Sequence, residues 1–298
     1  MTNLLENCRL CPRRCGAARQ SGQRGRCGAD GSLRVARAAL HFWEEPCLSG
    51  EKGSGTVFFS GCPLGCRFCQ NHSISADCFG KEISVERLAQ IFLELQEQGA
   101  NNVNLVSPTQ YTPQIIAALD MAKPKLNIPV VYNTGGYERV ETLQMLEGYV
   151  DIWLPDAKYA DTQRAQNYSQ AADYPQVAHA AIEEMLRQTG GPKFDQNGIM
   201  RRGVIVRHLV MPGGMQDSFR VLENLAKLRK KQEFLLSLMS QYTPYCKDEQ
   251  YPELNRRVST YEYRRVCEYA QELGFEGFAQ ERSSAKEEYT PDFDLTGV

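Results

Sequence analysis

No stretch of this 298-residue chain is apolar for long enough to span a bilayer. The start, Met1-Thr2-Asn3-Leu4-Leu5-Glu6-Asn7-Cys8, has neither the charged nor the apolar region of an export signal. No membrane anchor is expected, and a cytoplasmic location is. Neither sign of charge is in excess: 34 Lys and Arg face 36 Asp and Glu, for a formal net charge of −2. Internal repeats and low-complexity segments are missing as well. What remains is an ordinary globular composition, 42% hydrophobic, long enough to bury one large core of the size of an α/β barrel. Lysine is absent from the first forty residues, where eight arginines face only Glu6 and Asp30, a local charge of +6. That basic segment suits an acidic partner such as a flavodoxin, or a solvated face. It lacks the stacked aromatics and motifs of an RNA-binding module, so nucleic acid is not an expected partner.

Cysteine is abundant. Eleven of them, clustered toward the N-terminus of a chain this long, do not fit the disulfide scaffold of a short secreted domain. The run Gly61-Cys62-Pro63-Leu64-Gly65-Cys66-Arg67-Phe68-Cys69-Gln70-Asn71 offers three thiolates spaced C-x3-C-x2-C. Thiolates are the soft ligands of iron–sulfur clusters, and three of them on a four-iron cluster leave one iron open to a small molecule. A structural zinc site would need a fourth ligand from elsewhere. A second group, Cys8, Cys11, Cys15 and Cys27, is spaced x2, x3 and x11, with Gly16, Gly25 and Gly28 available for tight turns. Four thiolates suit either zinc or a second Fe–S cluster. Cys47, Cys78, Cys246 and Cys267 read as buried apolar residues.

Short β-rich runs alternate with helical patterns, the sign of βα units around a parallel sheet. Six strands are predicted: 57–60, 103–106, 130–133, 152–154, 204–207 and 234–238. Leu88, Ile91, Phe92 and Leu95 fall at helical spacing behind Ser84 as N-cap, and further helices are predicted near 113–122, 138–147, 174–188, 216–230 and 260–273. The triad follows the first strand directly, at the end of the barrel where active sites sit. Gln241 and Tyr242 end the sixth strand, which makes them candidates for substrate contact or simple turn residues.

The triad, with the aromatic Phe68 before its third cysteine, resembles the signature of the radical S-adenosylmethionine (SAM) enzymes. The segments His41–Gly50, Asp151–Tyr159 and Arg207–Gly213 resemble the PflX-type group, related to pyruvate formate-lyase activating enzymes. The resemblance implies a partial (β/α)6 barrel over residues 51–298, preceded by a cysteine-rich metal-binding extension over 1–50. It implies an oxidoreductase in which a [4Fe-4S] cluster on Cys62, Cys66 and Cys69 cleaves SAM reductively to a 5′-deoxyadenosyl radical. By the same resemblance Phe68 lies by the adenine, Asn71 matches the asparagine after the third cysteine, and Asp156 and Lys158 match an Asp-x-Lys near the SAM carboxylate. Asn133 stands where the activating enzymes have an aspartate. Ser107 and Thr109 stand in place of a Gly-Gly-Glu motif and supply acceptors for the methionine ammonium. His208 is placed to reach the ribose or substrate, or else serves the scaffold. The implied partners are a flavodoxin- or ferredoxin-type electron donor and a protein that receives a glycyl radical. Modification of a peptide or small metabolite is the alternative, and a binding or electron-transfer protein without SAM chemistry is the alternative from another class.

Overall fold

The computed structural model describes residues 4–245, 247–280 and 291–298. In chain order its elements are β1 (Leu33–His41), α1 (Pro46–Ser49), β2 (Ser54–Phe59), α2 (His72–Ser75), β3 (Lys81–Ile83), α3 (Val85–Glu97), β4 (Val103–Val106), α4 (Thr112–Ala122), β5 (Val130–Thr134), α5 (Val140–Met145), β6 (Ile152–Pro155), α6 (Thr162–Ser169), α7 (Tyr174–Thr189), β7 (Lys193–Phe194), β8 (Met200–Leu209), α8 (Met215–Arg229), β9 (Leu235–Met239), α9 (Thr260–Glu272) and β10 (Gly277–Ala279). The sheet runs β10-β9-β8-β6-β5-β4-β2-β1-β3, an open path rather than a ring among the described residues. Every neighbour from β2 to β10 is parallel, while β1 and β3 run antiparallel and β7 pairs with β8. This is the α/β partial barrel that the sequence implied, and its six expected strands are β2, β4, β5, β6, β8 and β9.

Alternation along each strand separates two packing layers. Outward residues such as Val57, Leu105, Tyr132, Trp153, Val204 and Val206 meet the apolar stripes of the helices. On α3 that stripe is Leu88, Ile91, Phe92 and Leu95, and the helix starts where Ser84 accepts a hydrogen bond from the Arg87 N–H. Inward residues Val131, Ile152, Leu154 and Ile205 form an interior plug with Cys47 and Leu48 of α1. Cys47 is thus the buried apolar residue expected of it. Cys267 packs half-buried against the outer core, Cys78 is half-buried, and Cys246 lies outside the described residues.

Before β1 the chain has little regular structure beyond a 3-10 turn at Arg19–Ser21. Residues 33–41, placed in the extension on sequence grounds, form β1 and pair along β2 in the sheet. The C-terminal segment returns to the same strand. Leu295 N–H donates to Ala36 O at 3.1 Å, Ala38 N–H donates to Thr296 O at 2.8 Å, and Arg37 pairs with Asp294 at 2.7 Å. Among the described residues no helix is long and apolar enough to cross a membrane.

Candidate active site

Strand β2 ends at Phe59, and the chain turns sharply at Gly61, whose φ is +84°. A Cβ there would stand 2.5 Å from Cys27 O, so the close approach of the extension requires glycine. The loop that follows carries Cys62, Cys66 and Cys69 into a cleft at the strand ends, with about 1200 Å³ of empty space open to solvent. The Ser169 hydroxyl lies 3.1 Å from Cys66 Sγ and the Ser75 hydroxyl 3.2 Å from Cys69 Sγ, each positioned to donate to sulfur. Tyr159 OH holds Ser169 Oγ at 2.8 Å. Arg13 clasps the loop from behind. Its Nε donates to Pro63 O at 3.0 Å, and its Nη2 donates to Leu64 O at 3.0 Å and Ser169 O at 2.7 Å.

Burial, then the neighbouring Cys66 and Cys69, push the Cys62 thiol up to about 12, and burial raises Cys66 as well. Loading with iron therefore displaces protons. Among the described residues no three His, Cys, Asp or Glu side chains stand ready to clasp a single ion. The triad instead presents three soft donors on one loop at the cleft, with hydroxyl donors turned toward two of the sulfurs. That donor set fits a cluster, whose sulfurs take hydrogen bonds from their surroundings.

The lining of the cleft includes a set of largely buried charges. Asp156 Oδ1 accepts from Arg207 Nε at 2.9 Å and Asp156 Oδ2 from Lys158 Nζ at 2.5 Å. Arg207 also donates to Asn133 Oδ1 at 2.5 Å and faces Glu44 Oε2 at 3.7 Å. Burial alone would raise the Asp156 carboxyl, but Arg207 and Lys158 reverse that and hold it below its usual value. Burial likewise works to lower Lys158, and Asp156 outweighs it. Glu44 and Glu45 are raised by burial despite Arg207.

The cleft brings together Cys62, Cys66, Cys69, Phe68, Asn71, Ser107, Asn133, Asp156, Lys158, Gln241 and Tyr242. Phe68 and Tyr242 pack with ring centroids 6.0 Å apart, and Tyr242 OH donates to Leu254 O at 2.7 Å. Ser107 adopts a left-handed φ of +54°, a strained conformation for a residue with a side chain. Two expected residues lie elsewhere. Thr109 is buried and donates to Glu138 Oε1 at 2.6 Å. That carboxyl, raised by burial to about 7, also accepts from Thr134 at 2.5 Å, and neither Thr109 nor Glu138 lines the cleft. His208 faces the helix layer, because it shares the side of β8 taken by Val204 and Val206. Its Nδ1 lies 2.6 Å from Ala157 O and its Nε2 2.8 Å from Ser218 Oγ, and burial lowers its pKa to about 4. The SAM and substrate roles expected of Thr109 and His208 are therefore corrected to scaffold roles. Arg207, one residue earlier, takes the inward position. Arg207, Glu44, Ser75, Ser169 and Arg13 were not singled out from the sequence. The alternation of β8 alone carried a signal for Arg207.

Of the N-terminal quartet, Cys8, Cys11 and Cys27 are buried and Cys15 is exposed, all outside the cleft. One backbone hydrogen bond, Cys62 N–H to Cys27 O at 3.1 Å, joins the two cysteine groups.

Residues 56–187, from β2 through most of α7, match the radical SAM superfamily. An uncharacterized protein of Methanocaldococcus jannaschii, MJ0674, is 30% identical over 284 residues, covering 92% of this chain and 77% of that one. The crystal structure of SuiB from Streptococcus suis gives a TM-score of 0.50 at 14% identity over 74% of this chain. That overlap spans 47% of SuiB, less than half its length. A domain of a pyruvate-formate lyase-activating enzyme from Bacteroides vulgatus gives a TM-score of 0.42 at 14% identity, covering 58% of this chain and 94% of that one. The matched segment holds the triad and the ends of β2, β4, β5 and β6, and over that segment the chain belongs to the radical SAM superfamily.

Proposed function

We propose that this radical SAM enzyme removes a hydrogen atom from a glycine Cα of a protein partner and leaves a glycyl radical there. The observation that carries the reading is the open cleft. It lies at the ends of the parallel strands of a sheet that forms an open path among the described residues, and it opens to solvent there. An open side of this kind lets a polypeptide segment lie across the strand ends toward the SAM carbon.

Cys62, Cys66 and Cys69 would hold the cluster. When bound, it supplies the electron that splits SAM into methionine and a 5′-deoxyadenosyl radical, which leaves as 5′-deoxyadenosine once it has taken the glycine hydrogen. The chain's residues position and enclose the reactants. Lys158, pinned by Asp156, presents an ammonium suited to the SAM carboxylate. Ser107 and Asn133 offer acceptors for its ammonium, and Phe68 against Tyr242 forms an apolar wall for the adenine. Gln241, which also lines the cleft, would meet the substrate. The electron comes from a flavodoxin- or ferredoxin-type protein, in the reducing cytoplasm.

The test mixes enzyme, SAM and reductant anaerobically with candidate glycyl-radical proteins. A persistent electron paramagnetic resonance doublet, lost when the target glycine is replaced, is the expected result. Many SAM molecules consumed per enzyme on a peptide or metabolite, with no partner radical, would overturn it.

A further inference from the structure

The side chain of Arg19 is fully buried, and it forms no ion pair with a carboxylate among the described residues. Its Nε and Nη2 donate to Asp30 O at 3.0 and 2.8 Å and its Nη1 to Gln110 O at 2.7 Å. Its remaining contacts are Cys8 Sγ at 3.7 Å and the Tyr111 ring at 5.8 Å. A guanidinium keeps its charge in a protein, and carbonyls solvate that charge without neutralising it. A buried charge without a counter-charge is strongly destabilising. The anion that completes this environment has to come from its surroundings.

Those surroundings are cysteines. Cys8 N–H donates to Ala17 O and Gly16 N–H to Cys8 O, at 3.1 and 3.0 Å, closing the loop that contains Cys11 and Cys15. Within it Arg14 N–H donates to Cys11 O at 3.0 Å, with a left-handed φ of +42° at Arg14. A second turn, Gly28 N–H to Gly25 O at 3.0 Å, carries Cys27. At Gly25 a Cβ would stand 3.4 Å from the sulfurs of both Cys15 and Cys27, so those two thiols border one small gap.

We infer that Cys8, Cys11, Cys15 and Cys27 hold a tetrathiolate metal centre, a zinc ion or an iron–sulfur cluster, whose negative charge is the counter-ion of Arg19. Four thiolates on a divalent ion leave an excess of negative charge, which buried Arg19 meets from the Cys8 side. The sulfurs are not already set at single-ion spacing, a property they share with the triad. A cysteine thiol turns between staggered rotamers about its Cα–Cβ bond, and that is the freedom by which a metal gathers its sulfurs. The centre sits behind the cleft. It holds the triad loop through Cys27 O on Cys62 N–H and through Arg13, which lies between Cys11 and Cys15 in sequence.

The experiment uses the full chain carrying Cys62→Ala, Cys66→Ala and Cys69→Ala, prepared anaerobically and assayed for zinc, iron and sulfide. One zinc per chain, or iron with sulfide, is expected and tells the two sources apart; a folded variant free of both metals overturns the inference. Should that variant fail to fold, alkylation of the wild-type protein decides. Cys15 is exposed, so a free thiol there reacts at once, whereas a ligated one reacts only after a chelator strips the metal. Equal labelling with and without chelator overturns the site. In wild-type background Arg19→Gln should lose the quartet metal to chelator at least tenfold faster, with Arg19→Lys restoring most of the retention. Unchanged loss in both variants removes the counter-ion role.

Discussion

The two cysteine groups meet across one backbone hydrogen bond, yet the chain holds them by opposite means. The triad stands at the end of β2, one of seven parallel strands in a ten-stranded sheet whose ladder fixes the loop's origin. It opens toward solvent, and its surroundings are hydroxyls and an ammonium. The quartet lies in a segment with almost no regular structure, gathered by short turns and by two arginines that reach backbone carbonyls far along the chain. A site that must admit reactants needs a stiff scaffold with one open side. A site that only has to hold can be built from turns and buried side chains.

Substitutions can break or sharpen that contrast. The largest effect belongs to the triad: alanine at Cys62, Cys66 or Cys69 should reduce anaerobic 5′-deoxyadenosine formation to the enzyme-free background. Undiminished product from the triple variant would remove the chemistry from this loop. Next is the charge set in the cleft lining. Arg207→Met leaves buried Asp156 with Lys158 alone and takes from Glu44 its cationic partner, and breaking a buried pair in this way costs about 3–5 kcal/mol. Urea unfolding measures it, and a loss under about 1 kcal/mol would mean that water screens these groups after all.

His208 comes third. Its folded value of about 4 lies below an unfolded value near ~6.5, so the unfolded chain takes up the proton first as pH falls. The contribution is whole above about pH 6.5 and is lost toward pH 4, with a ceiling on the order of 3 kcal/mol. His208→Gln should flatten that limb of the stability curve, and an unchanged slope would assign the acid loss to other groups. The smallest effect is expected from Ser75→Ala and Ser169→Ala. Each removes one hydrogen bond to a ligand sulfur, worth about 1 kcal/mol, and should lower the cluster's midpoint potential by roughly 40 mV for one electron. A potentiometric titration followed by electron paramagnetic resonance reads this, and an unmoved potential contradicts the role given to the hydroxyls.

The parallel strands were legible because strands buried on both faces read as continuous apolar runs between helical patterns. Strand β1 was not: Arg34 and Arg37 interrupt it, and three of its nine residues are alanine, a weak strand former. Strands β3, β7 and β10, of three, two and three residues, are too short to show a period. On β8 the alternation that sets Val204 and Val206 outward also sets His208 outward and Arg207 inward, a finer cue than strand-end position. Thr109 was misplaced because the 3-10 turn Thr109–Tyr111 rolls its hydroxyl toward Glu138. Ser169 meets Cys66 across 103 residues, and no local pattern encodes such a meeting.

The return of the C-terminal segment to β1 has a consequence for how the molecule is made. Beyond the short reach of β3, residues 36–38 of β1 find their outer hydrogen-bond partners in Leu295 and Thr296, and Arg37 reaches Asp292 O across 255 residues. At roughly 5–20 residues per second, a ribosome needs on the order of 10–50 s to supply them. Throughout that interval part of β1 is a bare edge, able to pair with a neighbouring nascent chain. Arg34 and Arg37, the charges that hide this strand from a sequence reading, also guard it while it waits.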